Sequence, residues 1–351
     1  EKMRVSGKVK FDDLPARLLA WYDRHARDLP WRVSPAGRAA GKRPDPYRIW
    51  LSEIMLQQTT IPHGTPYFHT FTQRWPDVGA LANSRDEEVM SAWAGLGYYA
   101  RARNLLKCAR EVVALGGFPE TEAELVKLPG IGPYTAGAIA AIAFDQQAAA
   151  VDGNVDRVFA RLLALKGDWQ AEKKVIAAAV RALVPAERPG EFAEALMDLG
   201  ATVCTPTRPN CLLCPLSDLC AAHAEGVVER YPVKPAKGVA RVRQGCAYVL
   251  VDGNEVLLVR RPDKGLLGGM LALPSTDWPK TGIPDAAPPA EADWQSVGDV
   301  RHVFTHFALT LSVKRAALNG KRPDGVWTPI RDVEGLPTVF AKAFRLAMTD
   351  A

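Results

Sequence analysis

The chain has 351 residues, a formal net charge of +5, 48% hydrophobic and 24% charged residues. That balance excludes a disordered chain and leaves room for two or three domains with cores of their own. Six cysteines are too sparse for a disulfide framework, and no secretory leader or transmembrane run is visible, so a reducing, cytoplasmic setting without a membrane partner is expected.

From Phe11 to about Glu225 apolar residues recur at helical steps, as in Leu14, Leu18, Leu19 and Tyr22 or Leu81, Val89 and Trp93, which predicts an all-helical domain. The segment Glu1 to Lys10 is polar and reads as frayed. Val33 to Pro46 (VSPAGRAAGKRPDP) reads as an inert surface loop. Glu53 lies between the apolar triplets Ile49-Trp50-Leu51 and Ile54-Met55-Leu56. Desolvation there would raise its pKa and keep it protonated near neutrality, which suits an acid better than a surface glutamate. Arg101, Arg103 and Lys107 either follow phosphates or form a solvated face.

Residues 122–143 read as helix, hairpin, helix, with Leu128-Pro129-Gly130-Ile131-Gly132-Pro133 between the helices. Gly130 and Gly132 allow a tight turn and close approach. The second helix opens with free N–H groups that suit a phosphate, and Ala136, Gly137, Ala138 and Ala140 make a small-residue face for close packing. A lone G-x-G is weak evidence, but the whole string LPGIGPYTAGAI matches the helix-hairpin-helix motif, which grips the DNA backbone without reading sequence. Asp152 sits at the mouth of a helix starting near Asn154, where a lone aspartate is by default an N-cap. Asp156 reads as surface.

Cys204, Cys211, Cys214 and Cys220 follow the pattern C-x6-C-x2-C-x5-C. Four thiolates in one short segment suit a metal centre. The uneven spacing favours iron–sulfur over zinc, which usually shows two C-x2-C knuckles. Arg208 is the only basic residue in the loop from Cys204 to Cys211, so any phosphate contact there is expected to be modest.

Val227 to Gly245 reads as an extended linker. Cys246 to Val259 reads as two strands around Asp252-Gly253-Asn254. Pro279 to Pro289 reads as a loop, residues 300–315 as strand, and Val339 to Met348 as a closing helix. The expected fold is therefore an all-α helix-hairpin-helix domain with a cluster loop, followed by a smaller α/β domain. The expected boundaries are 11–225 (hairpin motif 122–143, cysteine loop 204–220), a linker at 226–244, and 245–351.

LSEIMLQQT at 51–59, GLGYYARARN at 95–104, LPGIGPYTAGAI at 128–139, VDGNVDRV at 151–158 and the four cysteines occur in the order of one family. The chain resembles the MutY family of adenine DNA glycosylases, within the helix-hairpin-helix superfamily that includes endonuclease III. The resemblance is dense from Phe11 to Cys220 and looser beyond.

That resemblance implies one 4Fe–4S cluster on the four cysteines. It also implies a monomer acting on duplex DNA with 8-oxoguanine:adenine or guanine:adenine mispairs. Glu53 would protonate N7 of adenine and later activate water. Asp152 would stabilise the sugar cation as a transient nucleophile, and Asn154 would place the groups. Two carboxylates flanking the bond also serve in glycoside hydrolysis. Tyr134 stands where strand-cleaving relatives have a Schiff-base lysine, and a phenol cannot do that amine chemistry. Gln58 and Tyr98 match residues that probe and wedge the duplex beside the flipped base.

The C-terminal part resembles the MutT-like (Nudix) fold, but Gly265 to Pro274 lacks the acidic magnesium box, so pyrophosphatase activity is not expected. The family's Phe-Ser-His reader of 8-oxoguanine appears here as Phe304-Thr305-His306. The departure at Thr305 keeps the hydroxyl and adds a methyl. A His302–His306 metal pair is not expected. The competing readings are a glycosylase for another base or with lyase activity, and a non-catalytic iron–sulfur DNA-binding or redox protein.

Overall fold

The computed structural model describes residues 11–233, 241–262, 265–304 and 307–349. The chain divides into two compact units, one of Glu1–Ala92 with Arg103–Pro235, the other of Trp93–Ala102 with Ala236–Ala351.

The first unit is helical: α1 (Leu14–His25), α2 (Pro35–Ala39), α3 (Pro46–Met55), α4 (Ile61–Arg74), α5 (Val78–Ala82), α6 (Asp86–Trp93), α7 (Ala100–Ala114), α8 (Glu122–Leu125), α9 (Pro133–Phe144), α10 (Gly153–Leu162), α11 (Trp169–Leu183), α12 (Pro189–Thr202) and α13 (Ala221–Ala224), with α6 and α7 running into the segment shared with the second unit. Leu14, Leu18, Trp21 and Tyr22 form one buried stripe of α1, the helical period that the sequence displays. α9 and α12 are buried nearly all round, which marks them as the centre. α12 packs on α9, α10 and α1, and α3 packs on α9.

Small residues make this possible. A Cβ at Gly137 would collide with the Ala149 carbonyl oxygen, and one at Gly200 would lie 2.6 Å from Asn154 Cβ. The expected small-residue face of the hairpin's second helix is thus the contact that lets α9 sit at the core.

Within the segment expected as an inert loop, Ser34 caps α2 by accepting from Gly37 N–H at 3.1 Å, and Arg38 and Arg43 both pair with Asp145. Polar composition hid these contacts. Within the expected linker, Val228–Arg230 forms a 3-10 turn and Tyr231 is buried. Residues 234–240 lie outside the described part.

The second unit holds β1 (Arg241–Asp252), β2 (Glu255–Arg260), β3 (Leu271–Ala272), β4 (Gln295–Val303), β5 (Phe307–Ala317), β6 (Val326–Pro329) and α14 (Thr338–Thr349). They form a mixed sheet of order β3-β2-β1-β5-β4, with β6 paired to β2. β1 and β5 run parallel from Arg241 opposite Phe307 to Val251 opposite Ala317. The β1–β2 turn falls where the Asp-Gly-Asn signal placed it, with Gly253 at φ 58°.

The single strand expected over 300–315 is instead the β4–β5 antiparallel hairpin. The sequence between Val303 and Phe307 holds no glycine or proline to mark the break. Phe340, Ala343 and Ala347 of α14 pack on one sheet face with Ala247, Val249, Leu309 and Leu311. Leu250, Leu257 and Ala316 face the other side under Trp294 and Trp327. No described helix is long and apolar enough to cross a membrane.

Candidate active site

A cavity of about 490 Å³ opens in the helical unit, lined by Arg27, Trp31, Arg32, Glu53, Gln58, Tyr134, Asp152, Asn154 and Glu194, among others. The sequence-predicted Glu53, Asp152, Asn154, Tyr134 and Gln58 thus meet on one concave surface, although they come from three separate stretches of chain.

α3 positions Glu53. Pro46 starts the helix, Asp45 caps it by accepting from Tyr47 N–H at 2.9 Å, and its apolar residues are buried on both sides of Glu53. Burial pushes the Glu53 carboxyl up to about 7. The hydrogen bond from Tyr134 opposes that rise, the Asp152 charge adds to it, Arg32 opposes and Glu194 adds. The Tyr134 hydroxyl donates to Glu53 Oε2 at 2.8 Å. Tyr134 is itself held well above the ordinary phenol range, first by burial and then by the Glu53 charge.

Asp152 caps α10. Its Oδ1 accepts from Asn154 N–H at 2.9 Å and Val155 N–H at 2.8 Å, and its Oδ2 from Asn154 Nδ2 at 2.9 Å. Capping and chemistry coincide here, because the cap fixes a carboxylate at the cavity wall. Asn154 Oδ1 in turn accepts from Arg157 Nη2 at 2.9 Å. Arg157 also donates to Cys204 O at 2.8 Å and Gly200 O at 2.6 Å.

One turn on, buried Arg161 donates to the carbonyls of Cys204, Thr205, Pro206 and Tyr231 and lies 3.3 Å from Cys204 Sγ. A single face of α10 therefore joins the cavity to the cysteine segment. In that segment Cys204, Cys211, Cys214 and Cys220 are free and half-buried. Burial raises the Cys211, Cys214 and Cys220 thiols, and the Cys204 charge adds to each. Among the described residues no group of three or more His, Cys, Asp or Glu is placed to hold a metal ion.

The hairpin joins α8 to α9. Gly130 is left-handed at φ 77°, and a Cβ there would lie 2.9 Å from Asn104 Cβ, so glycine is required. Gly132 caps α9 at φ −88° with open space around it. It keeps the helix mouth exposed rather than making the turn. Gln58 and Tyr98 both hold positive φ, 60° and 48°, a strained state that clusters at functional sites. Tyr98 is 53% exposed and belongs to the segment grouped with the second unit.

Arg101 fits neither expectation, the phosphate arm or the solvated face. Its guanidinium packs 5.2 Å from the Trp93 ring and donates to Leu96 O at 3.1 Å, and burial lowers it to about 10. Asp156, expected at the surface, is buried at 6% exposure and pairs with Lys173 at 3.3 Å. In the second unit Phe304 packs on His302 and Phe307 with ring centroids 4.5 and 4.9 Å apart. Thr305 and His306 lie outside the described residues.

Sequence reasoning missed the carboxylates of α12 that hold the cavity's arginines, of which Glu194 itself lines the cavity. Asp198, 0% exposed, accepts from Arg27 Nε at 2.6 Å and from Arg32 Nη1 at 2.8 Å. Glu194 accepts from the Tyr22 hydroxyl at 2.8 Å. The signal was present: Glu191, Glu194 and Asp198 recur at helical spacing inside a helix that is otherwise apolar.

Residues 51–185 match the model of HhH-GPD superfamily base excision DNA repair proteins, and residues 246–346 match the NUDIX domain. An adenine DNA glycosylase of Rattus norvegicus is 37% identical over 89% of this chain and 72% of its own length. One from Buchnera aphidicola (subsp. Schizaphis graminum) is 30% identical over 94% of this chain and 97% of its own. A solved thermostable thymine-DNA glycosylase superposes with a TM-score of 0.54 at 29% identity, covering 62% of this chain and 97% of its own.

Proposed function

The chain belongs to the adenine DNA glycosylases of base-excision repair, and on that premise we propose that it removes adenine mispaired with 8-oxoguanine, or with guanine, from duplex DNA without cutting the strand. The observation that carries the reading is Glu53, a desolvated carboxyl poised near neutrality in the same cavity as the capped Asp152.

Near neutral pH Glu53 keeps a substantial protonated fraction. With Tyr134 bound to Oε2, Oε1 is left to carry the proton to N7 of a flipped adenine. The glycosidic electron pair leaves with the base, and the sugar becomes a cation. Asp152, fixed by its donors, faces that charge as a transient nucleophile or an electrostatic partner. Glu53, now a carboxylate, accepts a proton from the water that adds to the sugar carbon. Tyr134 rather than an amine lines this cavity beside Glu53, which fits a reaction that stops at the abasic sugar.

Duplex DNA would meet the exposed mouth of α9 at Gly132, with Gln58 and Tyr98 filling the gap left by the flipped base. Phe304, Thr305 and His306 would read the base opposite. Cys204, Cys211, Cys214 and Cys220 would hold one 4Fe–4S cluster. Support comes from four thiols in one segment, three of which feel the charge of Cys204, with the Arg161 cation beside Cys204, a donor set suited to a cluster. When bound, the cluster supplies a structural tie for residues 204–220. A cytoplasmic monomer is the working state.

Competition among duplexes with adenine opposite 8-oxoguanine, guanine or thymine tests the substrate. Excision is expected fastest opposite 8-oxoguanine, slower opposite guanine and negligible opposite thymine. Equal excision opposite thymine would contradict the mispair assignment.

A further inference from the structure

We infer that Arg38, carried by the 33–46 segment, is a positioning residue for adenine excision that acts through the Glu194 carboxylate on the Glu53 acid. The inference rests on Glu53 being the acid, as proposed above.

The geometry is specific. α2 projects Arg38 inward until its side chain is only 7% exposed. Nη2 donates to Ile142 O at 3.0 Å, and Nη1 lies 3.4 Å from Asp145 Oδ1. Asp145, in the left-handed conformation that ends α9, also holds Arg43 at 2.6 Å. Arg43 with Asp145 already ties the segment to α9 at the surface. Arg38 goes further and reaches Glu194, 1% exposed, at 3.7 Å from Oε2. Arg38 Nε and Glu194 Oε1 are both buried without a hydrogen-bond partner. Glu194 thus stands between two arginines, Arg32 Nε at 3.6 Å from Oε1 and Arg38 Nη2 at 3.7 Å from Oε2, in a medium where their field is strong.

Glu194 lines the catalytic cavity, so the pair forms the wall behind it. The groups facing Glu194 are Tyr22 on α1, Arg32 after α1, Arg38 on α2 and Asp198 on its own helix. Burial pushes Glu194 up, and Arg32 and Arg38 pull it down. The groups facing Glu53 are Tyr134, Asp152, Arg32 and Glu194. An ionised Glu194 favours protonated Glu53, whereas a neutral one does not. Without Arg38, Glu194 takes up a proton more readily, and the charge that helps Glu53 hold its own proton fades. The 33–46 segment thereby contributes to the chemistry although none of its residues lines the cavity.

The test is the pH profile of single-turnover adenine excision by the full chain. The wild type is expected to lose rate as pH rises through about 7, as Glu53 deprotonates. Arg38→Met, or Arg38→Gln if the methionine variant fails to fold, should move that fall about half a unit lower, about threefold in rate on the alkaline limb. Arg38→Lys should restore it. In a Glu194→Gln background the Arg38→Met change should move nothing further. A neutral variant with native circular dichroism and an unmoved limb would overturn the inference, as would an equal shift in the Glu194→Gln background. A wild type lacking the limb would overturn the assignment of Glu53, and the inference with it.

Discussion

The Tyr134 hydroxyl donates to Glu53 Oε2 at 2.8 Å, so a residue in the first turn of α9 adjusts the acid carried by α3. This bond favours ionised Glu53, whereas burial favours the protonated form and wins. Tyr134→Phe removes only the opposing effect. The alkaline fall in excision rate should therefore move above its wild-type position near 7, by about half to one unit. A pH–rate profile decides it, and a downward move would contradict the direction assigned to the bond.

Glu53→Gln keeps the shape of the side chain and removes its proton chemistry. Excision should fall about a thousandfold or more, while mispair binding by gel shift stays close to wild type. Unchanged turnover would remove Glu53 from the reaction.

Arg157 donates to Asn154 Oδ1 at 2.9 Å while Asn154 Nδ2 donates to Asp152 Oδ2 at 2.9 Å. Arg157→Ala leaves Asn154 free to turn and Asp152 held mainly by its cap. Single-turnover excision should drop about 10- to 100-fold, with a smaller loss for Arg157→Lys, which keeps charge but not the fork. Wild-type rates from a folded alanine variant would show the bond to be structural only.

Gly137 lets α9 meet the Ala149 backbone, which has no flexible end to move aside. Gly137→Ala should cost about 1–3 kcal/mol of stability, read from urea unfolding. Gly132→Ala, in open space, should cost far less. Equal losses would contradict the packing assigned to α9.

What was legible in the sequence was what repeats or stands out against its neighbours. Helical periods gave the first unit, Asp252-Gly253-Asn254 gave the β1–β2 turn, and an acid between apolar triplets gave Glu53. The cysteine spacing marked a segment that Arg161 now shows to be bound to α10. What stayed hidden depends on contacts far apart in the chain. Arg38 sits in a polar stretch whose composition says loop, and only folding brings it to Glu194, 156 positions away. Asp156 looked like any charged helix residue until Lys173 of the next helix buried it. Arg101 read as a phosphate arm or a solvated residue because nothing local reveals that its guanidinium lies over Trp93.

The most direct test is single-turnover excision on an 8-oxoguanine:adenine duplex over about pH 5–9, each time point split between alkali and no alkali. Strand breaks appearing only after alkali, with the rate falling as pH rises past about 7, are the expected result. Breaks without alkali, or a rate that climbs through that pH, would contradict a glycosylase driven by protonated Glu53.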